Sequence, residues 1–181
     1  MPSTTIKKTI MLIKFKTPRL IVSEASIDLF EPARSILLNR IPEILSPTVT
    51  KNLPPYFHDI ESEAQAKEWY KRMVTESRLF IIEQRDKSVI GFLFAHTSKS
   101  KDVHIGYLLD ENHWGSGLAT ELLIDFIELA KMEQKWNRLI GGVEQNNTAS
   151  SHLLEKLGFS VSRSTNDESV VFYEYNLTRT N

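Results

Sequence analysis

Across residues 118–130 the apolar positions fall at spacings of three and four: Leu118, Leu122, Phe126 and Leu129, flanked by Leu123, Ile127 and Ala130. Glu121, Asp125, Glu128, Lys131 and Glu133 take the remaining positions. That period predicts a long helix with one face on a core and the other in water. A second helix is predicted from Ser62, where Gln65 completes a capping box and Ala66, Trp69, Tyr70 and Met73 form the apolar face. A shorter one follows Asn147, a suitable N-cap, and runs through Leu153, Leu154 and Leu157 to Gly158, a suitable C′ residue. Another is expected at about Asp28 to Asn39. After it, Pro42, Pro47, Pro54 and Pro55 predict irregular chain.

Strand-like runs cover Arg19–Glu24, Leu79–Gln84, Val89–Thr97, Val103–Leu109, Arg138–Val143, Val161–Ser164 and Val170–Asn176. Asp86-Lys87 joins two of them as a hairpin, and Thr165-Asn166-Asp167 joins the last pair. The order of elements predicts a mixed α/β (α+β) single domain, with a central twisted mixed sheet of about six or seven strands and helices on both faces. Residues 1–13 are expected to be a flexible leader and residues 14–181 the domain.

Between one predicted strand and the long helix stands Trp114-Gly115-Ser116-Gly117-Leu118-Ala119. Two glycines at such a turn expose consecutive backbone N–H groups at the positive end of a helix. That arrangement binds phosphate-type anions without a charged side chain. No Gly-Lys-Ser/Thr follows, which argues against a P-loop nucleotide site.

Taken together, three segments resemble the GNAT acyltransferase superfamily, and specifically its ribosomal-protein N-acetyltransferase branch. They are His104-Ile105-Gly106-Tyr107-Leu108-Leu109-Asp110, Trp114 to Glu121, and Asn147-Thr148-Ala149-Ser150 closing with Glu155-Lys156-Leu157-Gly158-Phe159. The resemblance implies the fold above, with strands splayed at a cofactor groove, and acetyl-CoA as the acyl donor. By that likeness Gly115, Ser116, Gly117, Leu118, Ala119 and Thr120 grip the pyrophosphate through backbone N–H groups. A backbone N–H of Leu108 or Leu109 polarises the acetyl carbonyl, and Asn147 bonds the pantetheine arm. Trp114 belongs to the same cofactor-binding stretch, its ring expected to pack under the turn. The implied reaction is direct acetyl transfer to a primary amine. The acceptor is the N-terminal α-amine of a protein, a ribosomal one by branch default, or a small molecule such as an amino acid, polyamine or antibiotic. A catalytically weak acyl-CoA-binding sensor is the alternative from another class, and a homodimer is common in this branch.

Many family members carry a tyrosine seven residues after the asparagine to protonate the leaving thiolate. Leu154 stands there and cannot do so. Ser150, one helical turn earlier on the same face, is the candidate for the thiolate contact. Related proteins often have glutamate where His104 stands, so His104 is a candidate base, with Glu68 its rival. His113 is expected in solvent, and Trp69 and Tyr70 in the core.

Composition narrows the partners. The chain has 181 residues, 41% of them apolar, which is enough for one packed core. A net charge of −1 argues against a nucleic-acid or membrane partner. With no cysteine, thiol nucleophiles and disulfides are excluded, and the chain fits a reducing cytoplasm. The histidines show no metal-ligand spacing, and no metal is expected.

Overall fold

The computed structural model describes residues 12–162 and 169–177. Eight strands form one sheet: β1 (Lys14–Lys16), β2 (Leu20–Glu24), β3 (Arg78–Gln84), β4 (Val89–Thr97), β5 (Asp102–Leu109), β6 (Arg138–Glu144), β7 (Ser160–Val161) and β8 (Val170–Asn176). Their order is β1-β2-β3-β4-β5-β6-β8-β7. Every neighbouring pair is antiparallel except β5 and β6, which run parallel. The expected final turn at Thr165-Asn166-Asp167 lies outside the described residues.

Among the described residues five α-helices flank the sheet: α1 (Ala33–Ile44), α2 (Pro47–Thr50), α3 (Glu63–Glu76), α4 (Leu118–Glu133) and α5 (Thr148–Lys156). One core joins α4 and α5 to one face, through Leu122, Phe126, Leu154, Val103, Ile105 and Leu139 among others. A second joins α1 and α3 to the opposite face, through Ile41, Trp69, Met73, Phe92 and Leu108. Side chains alternate along a strand, so Val103, Ile105, Tyr107 and Leu109 share the α4/α5 face of β5, and His104, Gly106 and Leu108 the α1/α3 face.

The caps follow their local chemistry. The Ser62 hydroxyl accepts from the Gln65 N–H at 3.3 Å, and the Gln65 side chain returns to the Ser62 N–H at 3.0 Å. Asn147 Oδ1 accepts from the Ser150 N–H at 3.2 Å.

Three features depart from the local reading. The first helix begins at Ala33 and continues through Pro42 to Ile44. A proline removes one helical hydrogen bond, but here it stands in the last turn, between the fully buried Ile41 and Ile44. That burial outweighs the local penalty. Second, β1 adds an eighth strand, and Ile13, assigned above to the leader, is already docked. Its C=O accepts from the Glu24 N–H at 2.7 Å and its N–H donates to Glu24 Oε2 at 2.8 Å. Glu24 in turn takes a two-pronged bond from Arg78 at 2.7 and 2.8 Å. Third, Asp110, just past β5, is 4% exposed and ties the sheet to α1. It accepts from the Asn112 N–H at 3.0 Å and from Arg40, whose Nε also donates to the Val89 carbonyl at 3.0 Å.

Two consequences are measurable. A Cβ at Gly91 would sit 2.2 Å from the Leu108 carbonyl oxygen, a backbone atom that cannot swing aside. Gly91→Ala should therefore cost about 1–3 kcal/mol in urea unfolding, and an unchanged midpoint would contradict this packing. Burial pushes the Asp110 carboxyl up, but the Asn112 N–H and Arg40 outweigh it and leave the carboxyl below its ordinary value. A depressed pKa contributes stability that is complete above the unfolded carboxylate range and lost as pH falls through the folded pKa. Asp110→Asn should flatten that acid-side decline, read as Tm against pH.

Candidate active site

The pairing of β5 with β6 runs from Asp102–Arg138 to Ile105–Gly141 and stops there. Hydrogen bonds from the Asp110 N–H to the Ile90 carbonyl and from the Ser98 N–H to the Asp102 carbonyl, both 2.8 Å, set the phase of β5. Antiparallel ladders alternate, so even-numbered residues of β5 turn their backbone groups toward β4 and odd-numbered ones toward β6. The N–H groups of Tyr107 and Leu109 therefore face a gap between strands. Of the two oxyanion candidates, Leu109 faces the opening. The Leu108 N–H belongs to the β4 ladder, and its side chain lies in the α1/α3 core.

At the mouth of this gap the chain makes its glycine turn. Gly115 and Gly117 have φ of +69° and +79°. A Cβ at Gly115 would meet nothing within 4 Å, so the requirement there is torsional rather than steric. Gly117 is the N-cap of α4 and offers no side chain to its first turn. The amides of Leu118, Ala119 and Thr120 thus remain available at the positive end of a 16-residue helix.

Arg19 braces the turn from behind. Its Nε donates to Glu121 Oε2 at 2.7 Å and its Nη1 to the Ser116 carbonyl at 2.9 Å. Glu121 also accepts from the Arg19 N–H at 2.7 Å and from the Thr17 hydroxyl. Together these donors hold its carboxyl below the ordinary value although burial opposes them. The Ser116 hydroxyl donates to the His113 carbonyl at 2.7 Å. Sequence reasoning missed Arg19 because its partners lie about a hundred residues away. It also misplaced two residues of the turn. His113 is not in solvent: Nε2 lies 3.3 Å from Gln84 Oε1 and Nδ1 is buried without a partner among the described residues. Trp114 is half exposed rather than packed away: the residue is 52% exposed, and its Nε1–H donates to the Leu109 carbonyl at 2.8 Å.

The opposite wall is α5. Gly141 lets this helix sink onto β6, since a Cβ there would stand 2.9 Å from Leu154 Cδ1. Leu154 is 3% exposed, an apolar wedge rather than a group facing the gap. One turn earlier on the same helix stands Ser150, half-buried. Burial raises the Tyr107 pKa above its ordinary value, and the neighbouring Ser150 hydroxyl works against that rise. Asn147 spends its Oδ1 on the helix cap, which leaves its Nδ2 amide free to donate.

On the α1/α3 face lies a cavity of about 540 Å³, lined by Tyr56, Ile60, Ala64, Gln65, Glu68, Trp69 and Arg72. Its floor, Trp69, is 3% exposed and packs edge-on against Phe57, Phe92 and Phe94. The Trp69 indole N–H has no partner among the described residues. Phe94 in turn abuts Gly106, where a Cβ would meet only its ring, at 3.9 Å. Arg72 lies 4.1 Å over the Tyr56 ring and pairs with Glu76 at 3.0 Å, and Glu68 has no ion pair among the described residues. His104 does not line this cavity. It is exposed beside its cross-strand partner His96, whose Nδ1 lies 2.7 Å from the Glu76 carbonyl. Leu109, the glycine turn, Asn147 and Ser150 thus converge on one gap, Glu68 lies on the other side of the sheet, and His104 stands outside both.

Known proteins share this fold. The family model described as an acetyltransferase (GNAT) domain matches residues 30–160. A Bacillus licheniformis protein named as the uncharacterized N-acetyltransferase p20 is 32% identical over 120 residues, 62% of this chain and 67% of that one. Among solved structures, a GNAT-family acetyltransferase from Bacillus anthracis superposes with a TM-score of 0.69 at 15% identity, over 91% of this chain and 99% of its own. RimL, a ribosomal L7/L12 α-N-protein acetyltransferase in complex with coenzyme A, does so at 0.68 and 14% identity, over 88% and 95%. At such identities the structures speak for the fold, and the family match speaks for the chemistry. The chain belongs to the GNAT acetyltransferase family and is an acetyl-CoA-dependent N-acetyltransferase.

Proposed function

We propose that the gap between β5 and β6 holds the pantetheine arm and thioester of acetyl-CoA, and that a primary amine reaches it from the α3-side cavity past Gly106. The observation that carries this reading is the interruption of the β5–β6 ladder beside an uncapped helix N-terminus. In it the amides of Gly117 to Thr120 and their neighbours in the turn take the pyrophosphate. Asn147 Nδ2 bonds the pantetheine amide, and the Leu109 N–H donates to the thioester oxygen as it gains charge in the transition state. Ser150 faces the sulfur.

For the acceptor we infer an α-amino group on an apolar body, carried by a peptide N-terminus or a free amino-acid-like molecule. An α-amine has a pKa of roughly 7.7–8.0 against about 10.4 for lysine, so more of it carries a lone pair at neutral pH. The cavity supports this class, being lined by aromatic and aliphatic groups with Gln65, with Arg72 already paired to Glu76, and with one carboxylate without an ion pair among the described residues, Glu68. A polyamine or aminoglycoside calls for several carboxylates. Glu68 rather than His104 is the residue assigned to hold and deprotonate the amine, because only Glu68 lines the cavity. The similarity to a ribosomal-protein acetyltransferase is at 14% identity and does not choose between a ribosomal protein and another acceptor.

The direct test is isothermal titration with acetyl-CoA, followed by thiol release over a panel of peptides, amino acids, polyamines and aminoglycosides. Binding with release for α-amines of apolar residues is the expected result. Binding without release across the panel would favour the sensor reading, and no binding would end both. Gly117→Trp should weaken coenzyme A binding by more than about tenfold, or 1.4 kcal/mol, and wild-type affinity would remove the turn from the site. Glu68→Gln should raise the acceptor KM and lower kcat at neutral pH, with His104→Ala near wild type. The reverse ranking would move the base to His104.

A further inference from the structure

We infer that the pocket between α1 and α3 is a docking site for a protein segment that carries carboxylates around one apolar side chain. It lies on the other flank of α3 from the cavity holding Glu68, and has a volume of about 120 Å³. Leu37 and Leu38 of α1, each 3% exposed, give it an apolar lining, and Ile27 and Leu29 close it from the chain before α1. That chain is fixed against α3, because the Tyr70 hydroxyl donates to the Ser26 carbonyl at 2.7 Å. The inference does not depend on the reading of the β5–β6 gap.

The rim carries the charge. Arg34, Lys67 and Lys71 line the pocket, are exposed, and have no side-chain ion pair or hydrogen bond among the described residues. By contrast Arg19, Arg40, Arg72, Arg78 and Arg138 are each paired with a carboxylate. Lys67 and Lys71 stand one turn apart on α3, a spacing at which like charges repel. No carboxylate among the described residues lines the pocket. On the adjoining chain Glu31 is engaged by the Ser35 N–H and hydroxyl, at 3.2 and 2.7 Å, and Asp28 and Glu63 form no ion pair among the described residues. A chain of net charge −1 thus gathers three unneutralised cations around one apolar opening, which attracts a partner of opposite sign.

Size selects the kind of partner. Small-molecule sites generally enclose about 300–1,000 Å³, whereas a cavity of about 150 Å³ is filled by one benzene ring. This pocket takes one apolar side chain. Ile27, 56% exposed, and Phe30, 82% exposed and one turn before Arg34, extend the apolar surface outside it. An anchor side chain seated in a pocket, ringed by polar contacts, is how protein interfaces concentrate their binding energy. An anionic membrane is instead read by clusters of about four to eight cations and needs no pocket.

The experiment is fluorescence anisotropy on the full chain with a labelled peptide pool of pattern acidic–acidic–apolar–acidic, the apolar position varied over valine, leucine, methionine and phenylalanine. The pool should contain binders with Kd below about 100 μM. Lysine at the acidic positions, or glycine at the apolar one, should weaken binding at least about tenfold. Raising salt from about 50 to about 500 mM should weaken it severalfold. The double variant Lys67→Glu/Lys71→Glu, the single variant Arg34→Gln and the pocket variant Ile27→Ser should each lower affinity, the double variant at least about tenfold. All substitute exposed side chains, and thermal melting identifies any that unfold. No binding by the pool at low salt would overturn the inference, as would wild-type affinity in a folded double variant. Binding of octanoate or of phosphatidylglycerol vesicles that depends on the same three cations, in place of peptide binding, would overturn it in favour of a free carboxylate or a membrane.

Discussion

Past Ile105 and Gly141 the two central strands run on without pairing, so the inner N–H groups of Tyr107 and Leu109 need water or a ligand as partner, while the Leu109 carbonyl already accepts from Trp114. A sheet rarely leaves such groups idle, and here everything near the lapse is arranged around it. The glycine turn stands at one side with its helix amides uncapped. The first turn of α5 stands at the other, with the Asn147 amide and the Ser150 hydroxyl. The gap is the constraint from which the proposed donor site follows, because closing the ladder would fill the space and consume the inner N–H groups of Tyr107 and Leu109.

Keeping that gap open requires fixed walls. Gly141 and Leu154 hold α5 at a set distance from β6, and Arg19, Glu121 and Thr17 tie the glycine turn to the start of β2. Arg40 and Asp110 fasten the end of β5 to α1. The last two of these braces are polar contacts between elements distant in sequence. Rigid walls matter because geometric errors of an ångström cost rate where reacting atoms must align.

The two faces of the sheet divide the work. The α4/α5 side carries groups suited to a diphosphate and a thiol, and the α1/α3 side carries an aromatic-floored cavity with one unpaired carboxylate. Gly106 stands between them, where the absence of a side chain leaves room beside Phe94.

Signals contained within a few residues were legible in the sequence. The 3.6-residue period of α4, the Ser62–Gln65 box, the Asn147 cap and the positive-φ glycines of the turn all depend on near neighbours, and each is found as read. The three motif segments that carried the family resemblance are of the same kind. Tertiary structure decided the rest. It added β1, drew α1 through Pro42 by burying Ile41 and Ile44, and chose Leu109 over Leu108 through the phase of the β4 ladder. It also paired Arg19 with Glu121 and put Glu68 rather than His104 on the cavity. Those outcomes depend on contacts between segments far apart in the chain, where neither partner's neighbours carry a pattern that announces the other.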